Sequence, residues 1–204
     1  MPLIQKQEKK PSFEPKTEND QIKSQVKDFI WETLKVIIIS LAIIIPVRYF
    51  IIQPFYVKGA SMEPNFYDHE YLIIDEISYR FSEPNRGDVI VFRYPYDKSQ
   101  FFIKRIIGLP SESLNISGGE ITITTADGAQ KFVLVEDGYL PNTFTQGGEE
   151  IKLAEDEYYI MGDNRDASLD SRMFGPISKS DIVGRVWVRG WPLGRLEVFD
   201  EELY

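Results

Sequence analysis

Apolar positions change their spacing twice along this chain, and each change marks a different kind of element. Residues 1–20 are mixed in charge, carry Pro11 and Pro15 and have few large apolar groups, so they predict a disordered tail. From Gln21 onward Ile22, Val26, Phe29, Ile30 and Leu34 recur at helical spacing with Lys23, Lys27 and Lys35 between them, predicting an amphipathic lead-in. The spacing then closes into the run Val36 to Val47, extended through Tyr49 to Ile52 and flanked by Trp31, Tyr49, Phe50, Phe55 and Tyr56. That run approaches the ~20 residues needed to span a bilayer, and a single transmembrane helix is expected within 21–53. Pro46 should kink or end it, and Arg48 can reach back to the headgroups. A cleavable signal peptide is the weaker alternative, because the charged lead is too long. A buried helix of a soluble protein is the other. Lysines crowd the N-terminal side, which favours the tail in the cytoplasm and the large domain on the extracytoplasmic face.

Beyond Phe55 the period falls to two. Tyr71-Leu72-Ile73-Ile74, Asp88 to Phe92 and Phe101 to Ile107 read as strands punctuated by Gly, Pro and Asn. A second β-rich stretch, 108–155, carries tight-turn signals at Gly118-Gly119 and Asp127-Gly128 around Glu120 to Thr124 and Lys131 to Val135, and predicts an inserted hairpin lobe. Strand patterns resume at Tyr158 to Met161, Val183 to Val188 and Trp191 to Phe199, with no long helix outside the anchor. The expected fold is therefore mostly β: an antiparallel core from 54–107 and 156–204, the lobe at 108–155, and the N-terminal helix ahead of both.

Composition narrows the chemistry. The 204 residues contain no cysteine and a single histidine, which excludes thiolate catalysis, disulfides and cysteine zinc sites and makes a histidine-rich metal site a poor fit. A formal net charge of -9 argues against nucleic acid as the main partner.

Two residues stand out. Ser61 lies in Lys58-Gly59-Ala60-Ser61-Met62-Glu63-Pro64, just after the apolar run, and a serine hydroxyl needs a neighbouring base to become a nucleophile. His69, in Phe66-Tyr67-Asp68-His69-Glu70, reads as part of a solvated turn. Lys104, set among Phe101, Phe102, Ile103, Ile106 and Ile107, is the candidate base, provided an apolar shell lowers its pKa from the ordinary ~10.4. A third stretch, Gly162 to Arg172, packs three carboxylates, two guanidiniums and two hydroxyls into eleven residues. It reads equally as a solvated loop and as a hydrogen-bonded platform that orients a base.

Four segments taken together, Gly59 to Pro64, Arg86-Gly87-Asp88-Val89-Ile90-Val91-Phe92, Ile103 to Pro110 and Gly162 to Arg172, resemble in order the sequence boxes of bacterial type I signal peptidases. The resemblance implies a membrane-bound serine endopeptidase with a Ser/Lys dyad that cuts signal peptides from exported preproteins, without metal or cofactor. Carried onto this chain, Ser61 is the nucleophile, Lys104 the general base and the Ser61 backbone N–H an oxyanion donor. Ser168 is similar to the serine that hydrogen-bonds the lysine ammonium. Asp170, with Arg172 and Arg105, resembles the ion-pair scaffold of the loop. Phe55, Val57 and Ile103 are expected to wall shallow pockets admitting small residues at the first and third positions before the cut. Expected partners are signal peptides and the lipid bilayer, with the protein a monomer.

The sequence departs from the family pattern at Gly59, where some members carry a serine, at Asn65 in place of a frequent threonine, and at Ser111-Glu112 in place of a frequent Gly-Asp. A self-cleaving Ser/Lys repressor would need a DNA-binding domain ahead of the serine. A noncatalytic anchored β-domain shares the layout but gives no reason for Ser61 and Lys104.

Overall fold

The computed structural model describes residues 18–50, 52–141, 143–148 and 150–199. The chain divides into two compact units, Met1–Pro46 and Val47–Tyr204. Helix α1 (Glu18–Phe50), most of which belongs to the first unit, begins within the stretch expected to be a disordered tail and continues through the apolar run. Its described side chains, 25–45, are all exposed, Ile37, Ile38, Ile39, Ile43, Ile44 and Ile45 among them. Among the described residues no helix is long and apolar enough to cross a membrane. The expected span runs on to Ile52, so its far end lies outside the described side chains.

The second unit is built from two antiparallel sheets. The larger begins with β1 (Ile52–Tyr56), β2 (Tyr71–Asp75), β3 (Val89–Tyr94) and β4 (Asp97–Gly108). The smaller takes β5 (Ser113–Ser117), β6 (Glu120–Thr124), β7 (Lys131–Val133) and β8 (Glu150–Lys152). The chain then returns through β9 (Glu157–Met161), the four-residue helix α2 (Ser171–Phe174), β10 (Ile177–Ser178), β11 (Ile182–Trp191) and β12 (Glu197–Val198). Strand order in the larger sheet is β1-β2-β11-β3-β4-β9-β10, with β12 added to β11; in the smaller it is β7-β6-β5-β8.

Both faces of the larger sheet are covered, which explains why β3 reads as an unbroken apolar run rather than an alternating one. Val91 enters a cluster with Val57, Met62, Phe66, Leu72 and Val186, whereas its neighbours Ile90 and Phe92 enter another with Ile106, Tyr158, Ile160 and Phe174. Ile107, Tyr159 and Met161 turn to a third cluster, where they meet Leu114, Ile116, Ile121 and Ile123 of the smaller sheet. The two sheets therefore share a core. The hairpin β5–β6 turns at Gly118 and Gly119, whose φ values of 63° and 91° are those that make glycine the favoured residue in a two-residue hairpin loop.

Two stretches of strand edge are unpaired among the described strands. β1 pairs only with β2, and β9 joins β4 only from Arg105 to Gly108, so β4 carries a free edge ahead of Arg105. The free edges face a common cleft of about 390 Å³, with Phe55, Val57, Lys58 and Phe101, Ile103, Lys104 on its walls.

Candidate active site

Ser61 sits on a tight turn anchored in the core by its neighbours. Met62 and Phe66 are 1% exposed, and the Asn65 and Phe66 N–H groups both donate to the Met62 carbonyl, at 3.0 and 2.9 Å. The serine is left partly exposed on the cleft. Lys104 reaches it from β4: Nζ donates to Ser61 Oγ at 2.8 Å and to the Ile103 carbonyl at 2.8 Å, and lies 5.6 Å from the centroid of the Phe102 ring. At 3% exposure the amine has lost most of its hydration. That burial pulls its pKa from the ordinary 10.5 down to about 8, against the Asp170 and Asp163 carboxylates, which favour the charged form. At neutral pH roughly a tenth of the lysine is then neutral and able to take a proton.

The loop after β9 supports this pair. Asn164 donates its N–H to the Ser61 carbonyl at 3.0 Å and its side-chain amide to the Ala60 carbonyl at 3.1 Å, fixing the serine backbone from the far side. Gly162 makes this approach possible, because a Cβ there would lie 2.4 Å from the Ser61 carbonyl oxygen and 2.2 Å from Ser168 Oγ. Asp170 is fully buried; burial alone would raise its carboxyl, but hydrogen bonds from Arg172 and the Gly162 N–H, with the Arg172 charge, outweigh this and hold it below the usual range. Arg172 Nε and Nη2 both lie 2.9 Å from its oxygens. The platform reading of residues 162–172 is thus the one the contacts favour. A further ion pair, buried Arg165 with partly buried Glu136, ties the loop to the connection between β7 and β8 of the smaller sheet.

Arg105 differs from expectation. Its guanidinium is directed at Asp163, with Nε 2.9 Å from Oδ1 and Nη2 2.8 Å from Oδ2, so it holds the loop through Asp163 while Asp170 belongs to Arg172. Ser168 also departs from expectation. Its hydroxyl oxygen is buried and makes no hydrogen bond of standard geometry; its polar influence falls on Asp170, and the Lys104 amine is engaged by Ser61 and Ile103. His69 stands in the left-handed region at φ 71°, its side chain 73% exposed and 2.8 Å from Asp68. Phe55, Val57 and Ile103 do meet on the cleft, with the Phe55 and Phe101 rings 5.5 Å apart across it, and Leu169 closes one side.

Sequence reasoning missed Asp163, Asn164 and Leu169. The adjacency of Gly162-Asp163-Asn164 was visible, but not which carboxylate would face which arginine. Gly59 stands at φ 91° with its N–H on Asp68 Oδ1 at 2.9 Å, so the glycine serves backbone geometry. Ser111 takes φ 65°, the conformation that a glycine there would adopt more cheaply, and Glu112 compensates with contacts to Arg86 and the Leu109 N–H.

The family model described as signal peptidase, peptidase S26, matches residues 30–191. Signal peptidase I of Leptolyngbya laminosa is 34% identical over 177 residues, covering 82% of this chain and 82% of its own. A probable signal peptidase I-2 of Synechocystis is 31% identical over 176 residues, covering 82% and 76%. A crystal structure of a signal peptidase I from Enterococcus faecalis overlaps 52% of this chain and 97% of its own at 26% identity, with a TM-score of 0.43.

Proposed function

Given that the chain belongs to the signal peptidase family, peptidase S26, and is a serine peptidase of the kind that removes signal peptides, we propose that it does so with Ser61 as nucleophile and Lys104 as general base. The observation that carries this reading is the 2.8 Å contact between Ser61 Oγ and a lysine amine whose pKa burial has lowered to about 8. Neutral Lys104 takes the hydroxyl proton as Oγ adds to the scissile carbonyl, and returns it to the departing amine; water, deprotonated by the same lysine, then releases the acyl group. The developing oxyanion faces the Ser61 N–H. Asn164 and Gly162 hold the serine backbone still, while Asp170 with Arg172 and Asp163 with Arg105 hold the loop that encloses the lysine. Ser168 adds its hydroxyl to the polar surroundings of Asp170 and so supports the same loop.

The substrate joins as a strand between the free edges of β1 and β4, donating and accepting main-chain hydrogen bonds along the cleft. Side chains at the first and third positions before the cut then point at Phe55, Val57 and Ile103, which leave room for small groups only. Membrane attachment is part of the proposal: the exposed aliphatic surface of α1 from Val36 to Ile45 suits a lipid environment, and Lys23, Lys27 and Lys35 ahead of it favour a cytoplasmic N-terminus with the catalytic unit outside, acting as a monomer. Incubating a preprotein with the full chain in detergent, followed by N-terminal sequencing of the product, tests the reading. It predicts one cut after a small-x-small sequence, lost in Ser61→Ala; cleavage by Ser61→Ala at the wild-type rate would refute it.

A further inference from the structure

The serine turn and the lysine strand are joined by a residue that neither proton transfer nor substrate binding requires. Asn65, four residues after Ser61, donates its side-chain amide to Asp163 Oδ2 at 2.7 Å and to the Tyr139 carbonyl at 3.1 Å. Both partners are acceptors, so the orientation of the amide is dictated by chemistry. A single hydroxyl at this position could satisfy one of them, not both. Asn65 is itself held from behind: its carbonyl receives Arg189 Nη2 at 2.7 Å and Arg195 Nη2 at 3.1 Å, and these two arginines converge on Glu70, which is 2% exposed. A separate cavity of about 330 Å³, lined by Asn65, Arg105, Tyr139, Arg189 and Phe199, gives solvent access to this junction away from the cleft.

We propose that Asn65 is a positioning residue for the reaction: it grips Asp163 from the serine turn while Arg105 grips the same carboxylate from the strand carrying Lys104, and so sets the spacing between Ser61 and Lys104. The connection is closed at every step. Asn65 meets Asp163; Asp163 meets Arg105; Arg105 adjoins Lys104; Lys104 meets Ser61. On the other flank Asn164, next to Asp163, donates to the Ser61 and Ala60 carbonyls. Removing the Asn65 amide frees the loop to move relative to the turn, and a displacement of about 1 Å between reacting groups can cost on the order of 10²-fold in rate. The inference rests on the Ser61/Lys104 reading above.

Charge provides a readout that folding alone would not move. The charged groups that act on Lys104 are Asp163, shared by Arg105 and Asn65, and Asp170, held by Arg172. Asn65→Asp sets a carboxylate against Asp163, adds negative potential near the lysine, favours its ammonium and shifts the acid limb of kcat/KM to higher pH.

The experiment is steady-state cleavage of a preprotein by the full chain in detergent, with active sites titrated, for wild type, Asn65→Ala, Asn65→Thr, Asn65→Asp, Ser61→Ala and Lys104→Ala. Expected are a fall of about tenfold in kcat per active site with little change in KM for Asn65→Ala, partial recovery in Asn65→Thr, and an upward shift of the limb in Asn65→Asp. Loss of activity matched by loss of titratable sites, with kcat per site and the limb unchanged in every Asn65 variant that folds, would overturn the positioning role and leave Asn65 a structural residue. If no Asn65 variant yields any titratable site, that outcome also overturns it. Activity surviving in Ser61→Ala or Lys104→Ala would instead overturn the dyad.

Discussion

Replacing Asp170 by asparagine should lower the pKa of Lys104, and the acid limb of kcat/KM should follow it down. Burial moves the amine from 10.5 to about 8 while Asp170 and Asp163 work in the opposite direction, so the observed drop is a net effect. Each pKa unit corresponds to about 1.4 kcal/mol, so the net destabilisation of the ammonium is on the order of 3 kcal/mol. Asparagine preserves shape but keeps one acceptor oxygen: it can still accept from the Arg172 N–H as the cap of α2, while its NH2 replaces the oxygen that accepts from the Gly162 N–H. What it removes is a unit charge. At an effective dielectric of ~20, unit charges separated by roughly 6 to 10 Å interact by about 2 to 3 kcal/mol, and the Arg172 guanidinium cancels part of the Asp170 effect on the lysine. The limb should move down by about half a unit to one unit, from near 8 toward 7. The sign follows from the chemistry: the lysine acts when neutral, and taking away a nearby anion disfavours the ammonium. The plateau rate should fall as well, because Arg172 loses its ionic partner and the loop around Ser61 loosens. The assay is kcat/KM for a preprotein from about pH 5 to pH 10 with wild type and variant. A limb that stays in place or rises would refute the electrostatic account.

Gly59→Ser tests whether a hydroxyl can serve as an added oxyanion donor; because φ is 91° and open space surrounds the glycine, strain of about 1–2 kcal/mol rather than a clash should lower turnover, and a rate above wild type would contradict this. Gly162→Ala should reduce cleavage more severely, since the new methyl meets the Ser61 carbonyl oxygen at 2.4 Å, and wild-type turnover in the folded variant would refute the proposed support of Ser61. Trp191, half exposed in line with exposed Tyr71 and Tyr56 across β11, β2 and β1, should lose vesicle affinity by a few-fold on change to alanine, measured by co-sedimentation; unchanged binding would exclude this face from the lipid interface.

Much of this arrangement could be read from residue pattern because the relevant signals are local. Lys104 is conspicuous as a cation inside an apolar strand, and burial of that strand is the cause of its depressed pKa. The turn at Gly118-Gly119 follows from its dipeptide. The polar start of β4, Asp97 to Gln100, escaped because its strand character comes from the hairpin with β3 rather than from apolar alternation. β8 and β10, three and two residues long, are made by their partners and leave no periodicity to detect. The pairing of Arg105 with Asp163 rather than Asp170 depends on which way a tight loop turns its carboxylates, and the φ of Gly59 depends on the Asp68 carboxylate that accepts its N–H; both are tertiary facts. Ser168 shows the same limit, since nothing in the sequence says that its hydroxyl faces Asp170 while the Lys104 amine is engaged by Ser61 and Ile103.

The central claim is that Lys104 activates Ser61, and the most direct measurement is covalent trapping. The full chain, in detergent, is incubated with an acylating peptide electrophile bearing small residues at the first and third positions, and the adduct is followed by intact mass and located by peptide mapping. A single adduct on Ser61, forming with a pH dependence centred near 8 and falling by orders of magnitude in Lys104→Ala and Lys104→Arg, is the predicted result. An adduct on another residue, or labelling of Ser61 at the wild-type rate without the lysine amine, would contradict it.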